Sequence, residues 1–181
     1  VTLPRLPGEV DDAFMERVVV DMDQHMNDAV AFGTKIHRYC ERFHKYQEVP
    51  MGDKSEDEEL EPYVANYKRW FEENVKEVLW AEKALVNENV GYAGTADLLV
   101  LLKDYRKVMI DLKTQGIKSR VTKTKGTIKN EPNFYDKWEW QLVSYGQCLD
   151  IEPDAHMSIV IDSIDPGPCH VYEWPLAGRR N

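Results

Sequence analysis

Asp111 and Lys113 stand two apart in the run Val108-Met109-Ile110-Asp111-Leu112-Lys113. In a strand that spacing sends both side chains off one face, while Ile110 and Leu112 leave the other and can enter a core. A carboxylate and an ammonium on a wet face would be ordinary. Asp97 changes the weighing, because it opens the run Asp97-Leu98-Leu99-Val100-Leu101-Leu102, where apolar residues occupy both parities. A strand of that kind is buried on both faces, and a buried carboxylate without a partner is costly. Two solutions fit: a cation shared with a second carboxylate, or an ion pair from Asp97 or Asp111 to Lys113. With an odd number of residues in the intervening turn, as when Leu102 lies opposite Arg106, Asp97 and Asp111 face each other with Cβ atoms about 5 Å apart. Two hard oxygen ligands with open positions suit Mg²⁺ or Mn²⁺. Spacing alone divides evenly between the ion and the ion pair.

These residues need a sheet to hold them, and the pattern predicts one. Residues 78–86, 92–102 and 108–113 are rich in Val, Leu, Ile and aromatics and read as three consecutive strands, with turns at 87–89 and 103–106. Before them, Asp11 or Asp12 can cap a helix that ends near Gly33, and Ile36, Cys40 and Phe43 mark a second helix that stops before Pro50. A third helix is predicted from Pro62 to Val75, with Tyr63, Tyr67, Trp70 and Phe71 at helical spacing. After a polar basic segment, 135–149 returns to helical spacing, and 157–164 and 170–174 form a last strand pair split by Pro166-Gly167-Pro168. The order predicts an α/β (mixed α+β) fold: a central mixed sheet with an antiparallel three-strand meander, flanked by helices. No repeat or low-complexity linker divides residues 1–181, which read as one domain with a helical part to about 76 and a catalytic sheet and helix from about 77.

Composition narrows the class. With 43% hydrophobic and 30% charged residues in 181, the chain can bury a core. No apolar run approaches the roughly 18 residues of a membrane span, so no membrane role is expected. No basic-then-apolar signal pattern opens the sequence, although it begins on Val1 rather than Met, so that residues upstream are expected to be missing. Three widely spaced cysteines and no CxxC pair argue against a disulfide framework or a cysteine-built metal site. An intracellular place follows, cytoplasmic or nucleoid-associated. The net charge of −9 disguises a basic stretch, since Lys103 to Lys129 holds nine Lys or Arg against two Asp. The acidic run Asp53 to Glu61 reads as a solvated loop or a helix start.

Taken together, Gly94-Thr95-Ala96-Asp97-Leu98-Leu99, a short turn and Ile110-Asp111-Leu112-Lys113-Thr114 resemble the core of the PD-(D/E)xK nuclease superfamily in its RecB-like exonuclease branch. Gln141-Leu142-Val143-Ser144-Tyr145 is similar to that branch's QxxxY helix, and Gly33-Thr34-Lys35-Ile36-His37 to its helix with a metal-binding histidine. A DxK tripeptide alone is weak; four elements in family order, spanning Gly33 to Tyr145, are specific. The chain departs in having Ala96 where the superfamily pattern has proline, and in lacking the four cysteines that hold an iron–sulfur cluster in some relatives.

The resemblance implies a restriction-endonuclease-like core and one or two Mg²⁺ or Mn²⁺ ions, with no iron–sulfur cluster. It makes Asp97 and Asp111 metal ligands, with the Leu112 carbonyl and His37 completing the set; without it, His37 would read as a surface residue pairing with Glu41. Lys113 would hold the attacking water or stabilise charge on phosphate, and Gln141 and Tyr145, on one helical face, would support the site or contact DNA. Glu82, on a strand face with Trp80 and Ala84, is a further candidate for metal or catalytic duty. Lys118, Arg120, Lys123, Lys125 and Lys129 would grip a phosphate backbone without reading sequence, and Trp138 and Trp140 beyond them could stack bases. The expectation is a metal-dependent deoxyribonuclease, an exonuclease rather than an endonuclease, acting on single-stranded or end-exposed DNA in replication, repair or recombination. A helicase or recombination partner is compatible with it. The alternative is an inactive DNA-binding or protein-interaction domain on the same fold.

Overall fold

The computed structural model describes residues 3–46, 54–117, 120–121, 128–129 and 131–175, with 120–121 and 128–129 described through their backbone alone. The first element, α1, spans Asp11–Tyr46 as a single helix of 36 residues. A break near Gly33 was expected, and the helix runs straight through it. Gly33 is where α1 crosses the sheet: a Cβ there would lie 2.7 Å from Thr114 Oγ1. The glycine therefore answers a close approach rather than a helix end. Beyond it α1 buries Ile36, Tyr39, Cys40 and Phe43, and just before it Phe32 packs edge-on against Tyr63.

The second helix, α2 (Lys54–Asn74), starts at Lys54 rather than at the expected Pro62, which lies inside it. The acidic run is thus the helix's opening turns, where Glu56 and Asp57 complement the positive end of the dipole. Arg42 pairs with Asp57 and Lys35 with Glu56, so the same acids also fasten α2 to α1. The interior proline costs about 3 kcal/mol. Burial of Leu60, Val64, Tyr67 and Phe71 against α1 and the sheet offsets it, at about 1.5–3 kcal/mol for a fully buried aliphatic side chain.

The strands follow as β1 (Val75–Asn87), β2 (Tyr92–Leu102) and β3 (Lys107–Gln115). A two-stranded ribbon of β4 (Arg120–Val121) and β5 (Ile128–Lys129) lies within the basic segment; then come α3 (Asp136–Gly146), β6 (Ala155–Asp162) and β7 (His170–Trp174). The main sheet is ordered β1-β2-β3-β6-β7. Its one parallel pair, β3 with β6, is joined across α3, and the other pairs are antiparallel. The molecule is mixed α/β, a five-stranded mixed sheet flanked by helices. α1 and α2 cover one face around Ile36, Val64 and Ile110, while α3 covers the other through Trp138 and Leu142 on Leu99, Met109 and Val160. Among the described residues, no helix is long and apolar enough to cross a membrane.

The sheet forks at its centre. Pairing of β2 with β3 stops at Leu98↔Ile110. On either side it continues, β1 with β2 as far as Asn87↔Tyr92 and β3 with β6 as far as Gln115↔Asp162. The opening between β2 and β3 begins at Asp97 and Asp111.

Candidate active site

The register expected for a three-residue turn is the one observed. The Leu102 N–H donates to the Arg106 carbonyl, and Leu101↔Lys107 through Leu98↔Ile110 follow in step. Asp97 and Asp111 come one step further along, at the crotch of the fork. Ala81↔Leu98 and Lys83↔Ala96 bracket Glu82 opposite Asp97, so three carboxylates lie at one level across β1, β2 and β3. Glu82 takes the left-handed backbone region, with φ of 48°. That conformation is unfavourable for a side chain with a Cβ, and it interrupts the alternation that would have set Glu82 on the face of Trp80 and Ala84.

Asp97 Oδ2 accepts the Leu112 N–H at 2.7 Å, replacing the strand carbonyl that the fork has withdrawn. Asp111 is 4% exposed. Its Oδ1 accepts from Lys113 Nζ at 2.6 Å, while its Oδ2 is buried with no partner. The ion pair that spacing left open is therefore present, at Asp111, and it satisfies half of one carboxylate. Lys113 Nζ also donates to Gln141 Oε1 at 3.2 Å, and Gln141 Nε2 to the Tyr145 hydroxyl at 3.3 Å. Asp111, Lys113, Gln141 and Tyr145 thus form one chain of contacts from sheet to α3.

Electrostatics show what is missing. Burial pushes Asp111 up to about 7; Lys113 pulls it down and Asp97 adds to the rise. Asp97 is also raised, by burial, against the Leu112 N–H and the nearby charges of His37 and Lys113. Glu82 is pushed up to about 7 by burial, with Asp97 and Glu41 adding to it and Lys45 opposing. Three acids with one ammonium bonded among them have too little positive charge.

Two glycines set how closely the flanking helices approach. Gly33 lets α1 down onto Thr114. On the other flank, a Cβ at Gly94 would lie 2.8 Å from Tyr145 Cε1, so β2 receives the tyrosine where it has no side chain. The Tyr92 hydroxyl donates to the Ser144 carbonyl, a second tie between β2 and α3. His37 comes from α1 and lines a cleft of about 530 Å³ with Gly33, Arg38, Glu82, Lys113 and Thr114 among its walls. Among the described residues His37 has no ion pair with Glu41, which pairs with Lys45.

The expected site residues therefore fall into two groups. Asp97, Asp111, Leu112, Lys113, Gln141, Tyr145, His37 and Glu82 gather around the fork. Lys118, Lys123 and Lys125 lie outside the described residues, and Arg120 and Lys129 are described only by their backbone pairing. The sequence reading passed over Arg38, which lines the cleft. Its position beside His37 was the available signal. Trp138 packs in the core and Trp140 is exposed.

Among the described residues no group of three or more His, Cys, Asp or Glu side chains is placed to hold a metal ion. The donor chemistry nonetheless fits a hard divalent cation. Asp111 Oδ2 is a buried oxygen lacking a positive partner, and Asp97 lies across the fork from it. No protein-family model matches the chain, and no curated protein matches it either.

Proposed function

We propose that the chain is a divalent-metal-dependent deoxyribonuclease of the exonuclease type, built on a restriction-endonuclease-like core of the PD-(D/E)xK superfamily's RecB-like branch. The observation that carries this reading is the unpartnered, buried Asp111 Oδ2 at the fork, with Lys113 bonded to the other oxygen of the same carboxylate and Asp97 close enough to raise its pKa. Two carboxylates can hold an ion that assists phosphodiester hydrolysis, and a lysine beside them can offset the charge that builds on the phosphate. Asp97 and Asp111 would hold the Mg²⁺ or Mn²⁺, with His37 and the Leu112 carbonyl as further ligands and Glu82 as a candidate for metal or catalytic duty. When bound, the ion lowers the pKa of water and offsets negative charge on the phosphate.

Lys113 directs its ammonium at the scissile phosphate and stabilises the charge that accumulates there. Gln141 and Tyr145 hold that ammonium in place, so its orientation costs nothing at the moment of reaction. Water adds to phosphorus, the P–O bond to the leaving nucleoside breaks, and the leaving oxygen takes up a proton. Lys118, Arg120, Lys123, Lys125 and Lys129 grip the phosphates of single-stranded or end-exposed DNA.

End-labelled single- and double-stranded DNA, with free and with blocked ends, tests the reading. Loss of nucleotides from free ends only with Mg²⁺ or Mn²⁺, and none from Asp111→Asn, is expected. Absence of cleavage with either ion, together with no ion binding by calorimetry, overturns it.

A further inference from the structure

The cleft beside the carboxylates has unlike walls. Along α1 it presents Met26, Ala29 and Val30, with Arg38 and Glu41 further down the helix; opposite stand Glu82, Lys113 and Thr114. Met26 and Val30 are 61% and 64% exposed, so this wall is apolar and open. Arg38 is exposed and, among the described residues, has neither a hydrogen bond nor an ion pair. A second cavity, of about 720 Å³, is lined by Asp21, Met22, His25 and Asp28 of α1 against Gly116, Ser163 and Ile164, with His25 beside Asp21.

We propose that the first cleft is a subsite for one unpaired nucleotide, its base against Met26 and Val30 and its phosphate on Arg38. The inference rests on the nuclease reading for the chemistry next to it, and it adds which form of nucleic acid the site accepts. A base has an apolar face that gains from leaving water, while its phosphate seeks a guanidinium able to bond two oxygens at once. The cleft offers the two surfaces side by side, and about 530 Å³ lies within the usual range for small-ligand sites.

Paired bases cannot use this wall, because their faces are stacked inside the duplex. An unpaired strand needs only the lane of Arg38 and Lys113. A protein helix is the other candidate for an apolar helix face. It would use the stripe's whole length, including exposed Met15 and Val19, which stand beyond the cleft.

Fluorescence anisotropy in EDTA, where no cleavage occurs, separates these outcomes with a short thymidine strand, an abasic strand of equal length and the matching duplex. For the wild type, the abasic strand is expected to bind about tenfold more weakly than the thymidine strand. Met26→Ser with Val30→Ser brings that ratio close to one and leaves abasic binding unchanged. Arg38→Gln weakens both strands alike and flattens the salt dependence by about 0.7 in log–log slope. Met15→Ser with Val19→Ser changes nothing. All five positions are exposed, so the variants keep their fold.

Equal binding of thymidine and abasic strands by the wild type overturns the subsite. So does a ratio that survives in Met26→Ser/Val30→Ser, or an equal loss from Met15→Ser/Val19→Ser, which would assign the whole stripe to another partner. Cleavage in Mn²⁺ is scored separately on the same proteins. Base-dependent binding without cleavage keeps the subsite and removes the nuclease reading; cleavage without base dependence does the reverse.

Discussion

Asp97 and Asp111 sit within reach of one ammonium, so at neutral pH the fork holds more negative than positive charge in a place shielded from water. Replacing Asp111 by Asn removes part of that charge. Without metal, Asp111→Asn is therefore expected to melt higher than the wild type, by about 1 kcal/mol or more of added stability, less than full desolvation because Lys113 loses a partner. Mn²⁺ in excess should raise the wild-type melting temperature by mass action and leave the variant's unmoved. A thermal-shift titration of both proteins checks this, and a wild type indifferent to Mn²⁺ contradicts it. Lys113→Met has a different signature: it frees Asp111 Oδ1, so ion binding persists while turnover falls by about 10²-fold or more.

The helices act as spacers for the site, and the glycines set the spacing. Gly94→Ala places a Cβ against the Tyr145 ring. The ring must move, and with it Gln141 and the hold on Lys113, so kcat should fall by about 10-fold or more. If the clash is the cause, Gly94→Ala added to Tyr145→Ala lowers kcat no further than Tyr145→Ala alone, and additive losses contradict the idea. Between α1 and α2, burial and the nearby His37 lower the His44 imidazole to about 4. Its Nε2 meets the Tyr67 hydroxyl at 2.6 Å, and its ring stacks on Phe71. A base whose folded pKa is depressed costs nothing above its unfolded pKa near 6.5 and destabilises progressively as pH falls toward 4. That is up to about 3 kcal/mol for roughly two and a half units. His44→Phe strands the Tyr67 hydroxyl and is less stable at pH 7, by about 1–3 kcal/mol, yet loses less on acidification. Urea midpoints at pH 7 and pH 4.5 for both proteins, compared as differences so that shared carboxylates cancel, measure it.

Across the whole molecule, charge is segregated in a way the net value of −9 hides. The basic segment follows β3 in the chain, and described residues that flank it are tied to the sheet. The Ile117 N–H donates to Asp162 Oδ1 at 3.1 Å, and the Asn133 N–H to Gln115 Oε1 at 2.7 Å. Both ends are thus held at the end of the strand that carries Asp111 and Lys113, while the acids of α1 and α2 lie on other elements. Replacing Lys118, Arg120, Lys123 and Lys125 together by Ala should weaken DNA binding with little regard to base sequence. The slope of log affinity against log salt should flatten by about 0.7 for each lost single-strand phosphate contact. Wild-type affinity in the quadruple variant at low salt would assign the grip to another surface.

Much of the architecture was readable from local pattern. The three consecutive strands, the α3 helix, the final strand pair and the facing of Asp97 with Asp111 all follow from side-chain alternation and turn parity, which are properties of neighbouring residues. Other features depend on residues distant in sequence. Gly33 reads as a helix stop until Thr114 is seen beneath it, and the acidic run reads equally as a loop or a helix start until Arg42 and Lys35 are seen holding it to α1 as the opening turns of α2. Alternation gave Glu82 a face that its left-handed backbone denies. Where the β2–β3 ladder ends, and hence that Asp97 supplies an acceptor for the Leu112 N–H, is seen only in the folded sheet, where the pairings of β2 with β1 and of β3 with β6 run on past it. Sequence determined which groups stand at the fork. Their burial and the unpartnered oxygen of Asp111 were decided by packing, because desolvation depends on what the rest of the chain places around a carboxylate rather than on its neighbours along it.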